Sequence, residues 1–211
     1  MQQKMFNILD IRQIIYEFLE LDNRQSLFMV STIFNDACEL EKTLCEKAVQ
    51  FGNYDMLKKL HKQGCPWDVS TCTIAASIGR IDILQYLCEN KCYGNAFTCT
   101  AAVINGHFEV LKYLYKHSCL GNSSTTDAAA FLGRIDMLQY LCKNNCPLDS
   151  NVCEKAVQGG HLDTLKFLHE QHNCCLSDII SRIAASIGRI DILQYLLDKG
   201  CQWNTRRYDL L

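Results

Sequence analysis

The residues of this 211-residue chain with the most chemistry to offer are fourteen cysteines and six histidines. Two cysteine runs have the local density of a zinc site: Cys88-x3-Cys92-x6-Cys99 and Cys142-x3-Cys146-x6-Cys153. Structural zinc favours compact sets of four ligands with closely spaced cysteine pairs at both ends, and neither run supplies the second pair. A Cys–His dyad is the nucleophilic alternative, since His117 and His172 precede Cys119 and Cys174 by two residues. Such a dyad needs a partly exposed thiolate beside an oriented base, whereas the pattern below places these thiols in a core. There is no P-loop, no G-x-G-x-x-G after a strand and no pair of carboxylates set for a cleft. Gly159-Gly160 reads as a helix end. The sequence therefore predicts no catalytic residue, no cofactor and no metal.

The cysteines follow a period. The phrase A-x-x-x-G-x-x-[DE]-x-L recurs six times, about Gly52, Gly79, Gly106, Gly133, Gly160 and Gly188, at steps of 27 residues with a last step of 28. Cys65, Cys92, Cys119, Cys146, Cys174 and Cys201 form one column of this array, and Cys45, Cys72, Cys99 and Cys153 another. Free cysteine acts as a small, readily buried apolar residue, so the columns read as core positions. Met1 to Leu9 lack a basic stretch followed by an apolar one. That predicts a cytoplasmic, reducing setting in which disulfides are not expected.

A period of this length marks a solenoid, whose repeats bury apolar faces only against their neighbours. In the second repeat, Cys72, Ala75 and Ala76 lie on one face of a helix. Gly79 follows, where a helix end calls for positive φ. Ile81, Leu84 and Leu87 then predict the buried face of a second helix, with Asp82 in its first turn facing the positive end of the dipole. Alanine stands four residues before every one of the six glycines, and leucine five and eight after. The fold class is all-α, a solenoid of stacked antiparallel helix pairs.

Ser70 to Leu87, Gly106-His107-Phe108-Glu109-Val110-Leu111-Lys112-Tyr113-Leu114, Gly64-Cys65-Pro66-Trp67-Asp68 and Gly200-Cys201-Gln202-Trp203-Asn204 resemble the ankyrin repeat position by position. The resemblance covers residues 43–207. It implies a protein-binding scaffold of six repeats, with the first cysteine column standing where the family carries alanine. Six residues that form the family's β-hairpin finger are missing, and its Thr-Pro-Leu-His is mostly gone. A target would then lean on helix faces and short turns. The turn residues Trp67, Asp68, Tyr93, Asn95, Asn122, Asp149, Trp203 and Asn204 replace the fingers and are the predicted target contacts, the two tryptophans above all if exposed.

Two further columns overlie the first. Arg80, Arg134 and Arg189 recur in alternate repeats within Gly-Arg-Ile-Asp-[Ile/Met]-Leu-Gln-Tyr-Leu, and Lys58, Lys112 and Lys166 alternate with Gln85, Gln139 and Gln194. Duplication of a two-repeat block accounts for this; a ladder of arginines along one edge is the functional reading. Tyr86, Tyr113, Tyr140, Phe167 and Tyr195 form an aromatic column, read as edge packing, with a partner-binding face as the rival.

Nearly half the residues are hydrophobic, which speaks against disorder. The formal charge of −2, with acids and bases interspersed, offers no concentrated basic face for nucleic acid. No apolar run approaches the ~20 residues that span a bilayer. The expected partner is a protein, and the expected state a monomer.

Residues 1–40 are different. An apolar stripe through Ile11, Ile14, Ile15, Phe18 and Leu19 is followed by Asp22-Asn23-Arg24-Gln25 and a second stripe through Leu27, Met29, Val30, Ile33 and Phe34. A helical cap for the array is one reading. The other is an F-box, which the segment resembles in the spacing of Asp10, Ile11, Ile15, Tyr16, Phe18, Leu19, Leu27, Val30, Ser31 and Phe34. Asn7-Ile8 replaces its Leu-Pro pair, and Arg12 stands at a usually apolar position. The resemblance implies docking to a Skp1-type adaptor of a ubiquitin ligase through Ile11, Ile15, Tyr16, Leu19, Val30 and Phe34. An ankyrin-plus-F-box layout is similar to proteins of giant DNA viruses. The expectation is a non-enzymatic adaptor, or else a binding scaffold whose N-terminus only caps it. Residues 208–211 are read as a tail.

Overall fold

A computed structural model describes residues 40–201. Those residues form twelve helices and, among them, no strand. In chain order they are α1 (Leu40–Gln50), α2 (Tyr54–Lys62), α3 (Val69–Ser77), α4 (Ile81–Glu89), α5 (Ala96–Asn105), α6 (Phe108–Lys116), α7 (Ser123–Phe131), α8 (Ile135–Lys143), α9 (Val152–Gln158), α10 (Leu162–His172), α11 (Asp178–Ser186) and α12 (Ile190–Asp198). Each repeat is one odd-numbered helix, a tight corner at the motif glycine, and one even-numbered helix. Short turns replace the finger hairpins. The first helix begins at Leu40, ahead of residue 43.

The Ala-x-x-x-Gly phrase has a direct physical meaning. Each motif glycine has φ between 64° and 78°. The residue after it donates its N–H to the carbonyl of the motif alanine: Arg80 to Ala75 at 3.1 Å, His107 to Ala102 at 2.9 Å, Arg189 to Ala184 at 3.0 Å. This is a Schellman closure, which needs a left-handed residue at its corner. All six of these alanines are fully buried. One residue type therefore provides close helix packing and the acceptor that ends the helix.

The even helices close the same way one step later. Cys65 donates to Leu60, Cys92 to Leu87, Cys119 to Leu114, Cys146 to Leu141 and Cys201 to Leu196, each at 2.9–3.0 Å. The cysteine column thus occupies the position where a Schellman motif wants an apolar residue folded back on the helix. Cys65, Cys92, Cys119 and Cys146 are accordingly buried. In the fifth repeat, α10 runs to His172, and Cys174 donates to Leu168 at 3.2 Å.

The described residues divide into two compact units between Gly94 and Asn95. In the first, α1 packs on α2 and α3, and α3 on α4. In the second, α5, α7, α9 and α11 pack in succession, each also against its own even helix. Leu57, Leu84, Leu111, Leu138 and Leu165 are fully buried, while Leu193 is half-buried. Each buried leucine contributes about 1.5–3 kcal/mol. On α4 the buried stripe is Ile83, Leu84 and Leu87. Ile81 was expected there, but at the first helical position it falls at the edge of that stripe and is half-buried.

Candidate interaction surface

The arginine column turns inward on the repeat before it. The Arg80 guanidinium donates from Nη1 to the Gly52 carbonyl at 2.6 Å, while Nε and Nη2 grip Asp82 at 2.8 and 2.6 Å. In the second unit, Arg189 donates to the Gly160 carbonyl and holds Asp191 at 2.9 and 2.6 Å. Arg134 reaches the Ile104 carbonyl at 3.3 Å and lies against Gly106. His161 occupies the same place over Gly133. The arginine guanidinium groups lie at the negative, carbonyl ends of the preceding odd helices. Arg80 holds the Asp82 carboxyl below its usual range, and Arg189 holds Asp191 at about 2. The column is a set of staples between repeats, which explains the recurrence of Gly-Arg-Ile-Asp without an external ligand.

The aromatic column also joins neighbours. Tyr86 receives the edge of Tyr54, and its hydroxyl lies 3.0 Å from His61 Nδ1. The Tyr195 hydroxyl lies 3.4 Å from Glu170, and Tyr140 meets Phe108 and Tyr115 edge-on. Lys58 sits 3.8 Å from the Tyr54 ring centroid and Lys112 4.3 Å from that of Phe108, so the lysines of the alternating pattern cover aromatic faces.

The predicted turn contacts have distinct environments. Trp67 is half-buried, stacked on His61 at 3.8 Å and edge-on to Tyr86. Burial in this cluster pushes the His61 imidazole below its ordinary value. Asp68 caps α3 by accepting from Ser70 N–H at 2.8 Å. Asn95 and Asn122 cap α5 and α7 in reciprocal boxes with Thr98 and Thr125. Asp149 accepts from the Ser150 N–H at 2.7 Å ahead of α9. Tyr93 is 64% exposed. Trp203 and Asn204 lie outside the described residues, as do Ile11, Ile15, Tyr16, Leu19, Val30 and Phe34.

Sequence reasoning did not single out the exposed apolar residues of the second unit. Phe97 is 70% exposed and Ile104 50%, seven residues apart on one face of α5. Phe131, at the matching place on α7, is 46% exposed, and Leu120, in the turn entering α7, 61%. For Ile104 and Phe131 the signal was available: an apolar residue two before the glycine in two repeats where others carry Gln or Ser.

The thiols correct one expectation. Cys153 and Cys174 are joined in a disulfide. Cys174 is half-buried rather than buried, since the extra residue in that repeat carries it out of the column's usual place. Among the described residues, no three His, Cys, Asp or Glu side chains are grouped to hold a metal ion. The acid displaced by burial is Asp127, whose carboxyl is pushed up by desolvation and by Asp149, with Lys155 opposing. It is not grouped with a nucleophile. No described helix is long and apolar enough to cross a membrane.

This architecture is an ankyrin-type repeat array. Residues 45–127 match the model of the family described as ankyrin repeats (3 copies). Among solved structures, the chain is similar to the crystal structure of the human ASB11 ankyrin repeat domain. The two share 20% identity over 75% of this chain and 84% of that one, with a TM-score of 0.63. Comparison with curated proteins gives no match. Ankyrin repeats imply a protein–protein interaction scaffold.

Proposed function

We propose that this chain is a non-enzymatic scaffold that holds a protein target on the outer faces of its odd helices and on the turns before them. The observation that carries this reading is the apolar set Phe97, Ile104, Leu120 and Phe131 of the second unit. These side chains remain exposed in the folded chain, and exposed apolar surface marks interaction sites. Short turns leave the helix faces open to a partner, where finger hairpins would otherwise stand. Replacing Phe97 and Phe131 together by Asp tests it. Partners captured by the wild-type chain should be lost, with helicity and melting temperature retained. An unchanged set of partners on the folded variant would end this reading.

A finer reading gives the N-terminal segment the task of recruiting a Skp1-type adaptor. Its support is the spacing of Ile11, Ile15, Tyr16, Leu19, Val30 and Phe34, which would lay an apolar helix face into a groove. A pull-down with a purified Skp1-type adaptor should succeed for the wild type and fail for Ile15→Asp with Leu19→Asp. Failure with the wild type leaves the N-terminus as a cap for the array and does not touch the target-binding reading.

A further inference from the structure

The two cysteine columns meet. In four repeats a cysteine of the odd helix faces a cysteine of the turn after the even helix: Cys45 with Cys65, Cys72 with Cys92, Cys99 with Cys119, and Cys153 with Cys174. The sequence separation is 20 in the first three and 21 in the last, which carries the extra residue. The last pair is bonded, with its Cα atoms 6.3 Å apart, inside the span a disulfide bridges. The Sγ atoms of Cys72 and Cys92 lie 2.8 Å apart, and those of Cys99 and Cys119 3.6 Å. In all three thiol pairs the odd-helix Sγ also points at the carbonyl of its partner, at 3.9, 3.4 and 3.3 Å. The Cys72–Cys92 and Cys99–Cys119 sulfurs are thus already in contact, and Cys45 shares with Cys72 and Cys99 the approach of its sulfur to the partner's carbonyl.

The remaining repeats break the pattern on one side. Thr126 and Ser181 stand in the odd-helix column opposite Cys146 and Cys201. Thr126 donates its hydroxyl to the Pro147 carbonyl at 2.8 Å, and Cys146 lies beside the Tyr115 hydroxyl.

We propose that Cys45–Cys65, Cys72–Cys92 and Cys99–Cys119 are oxidative modification sites, each closing a disulfide within its own repeat in the manner of Cys153–Cys174. The oxidant is a low-molecular-weight disulfide. The turn cysteine is the entry point, because Cys65, Cys92 and Cys119 keep 3, 6 and 8% of their surface while their partners keep none. Its thiolate attacks one sulfur of the small disulfide, forming a mixed disulfide and releasing one thiolate. The odd-helix thiol then loses its proton, attacks the turn sulfur and expels the second small thiolate. Two protein thiols and one small disulfide become one protein disulfide and two small thiols. The roles agree with the charge distribution. Hydrogen bonds from Cys72 and Cys99 push the Cys92 and Cys119 thiols down, while Cys99 and Cys45 are pushed up.

The test uses the full chain, reduced, then exposed natively to oxidised glutathione, quenched in acid, alkylated and mapped without reduction. Three cross-links should appear besides Cys153–Cys174, each with the loss of two hydrogens, while Cys146 is alkylated. Cys72→Ser should trap a glutathione adduct on Cys92 and leave the other cross-links in place. Thr126→Cys should add one cross-link to Cys146. Full alkylation of the three pairs, cross-links joining different repeats, or no gain in Thr126→Cys with native helicity would overturn the proposal.

Discussion

Arg189 divides its guanidinium between the Gly160 carbonyl of the preceding repeat and the Asp191 carboxylate two residues on. The ion pair is exposed, so its worth lies in geometry more than in Coulomb energy. The arginine favours the ionised carboxylate, holding Asp191 at about 2 against an ordinary value of about 3.9. The stabilisation this carries is complete above the unfolded value and is lost as pH falls through the folded one. A carboxyl-resolved NMR titration should place the Asp191 midpoint near 2. In Arg189→Ala it should return toward about 3.9, and an unmoved midpoint would mean that the pair does not set it. Gly159 supplies a second prediction. Its φ of −77° is ordinary for a helix, so alanine there would normally gain up to about 1 kcal/mol. A Cβ would, however, meet the Phe131 carbonyl of the preceding repeat well inside contact distance. Overpacking against a fixed backbone costs about 1–3 kcal/mol, so Gly159→Ala should destabilise, as chemical denaturation would show.

At the scale of the helix, both members of each pair use the same closure, the even helix of the fifth repeat excepted, but only the odd helices end on glycine throughout. The even helices turn through Gly64, Lys91, Ser118, Asn145, Asn173 and Gly200, all at positive φ. Lys91, at φ 67°, and Ser118, at 62°, hold a conformation that costs L-residues about 1–2 kcal/mol. Replacing either by glycine removes that cost and adds unfolded-state entropy of about 0.4–1 kcal/mol. Each variant should therefore gain a few tenths to about 1 kcal/mol, seen as a higher denaturation midpoint with an unchanged slope. The odd-helix corners were legible in the sequence because glycine marks them. The even-helix corners were hidden because Lys and Ser do not announce a left-handed residue. The caps were hidden for a related reason: Asp68, Asn95 and Asn122 have the polarity of contact residues, and their use is revealed only by the N–H groups beside them. The thiol pairing was half legible. Both columns could be read, but that they face each other depends on how the turn folds back, and the separation of 20, or 21 in the fifth repeat, was its one linear trace.

Across the molecule, the period predicted that no repeat is stable alone, and the packing explains why in each unit. In the second, α5, α7, α9 and α11 lie side by side with Ala102, Ala129, Ala156 and Ala184 fully buried. Arg134, His161 and Arg189 tie each of the later repeats to the one before. In arrays of this kind stability is close to a sum of intrinsic terms and nearest-neighbour interfaces, and about three repeats suffice to stand. The fragment 95–211 retains four repeats with all three of these ties. It should keep its helical circular dichroism and melt cooperatively, at or below the temperature of the full chain. Arg134→Ala in that fragment removes the tie at Gly106, so its melting temperature should fall while the helical signal before melting stays the same. A fragment without helical signal would mean that the ties and alanine contacts inside this unit are too weak to hold four repeats, and that the stacking argument built on the six glycines is wrong in its energetics.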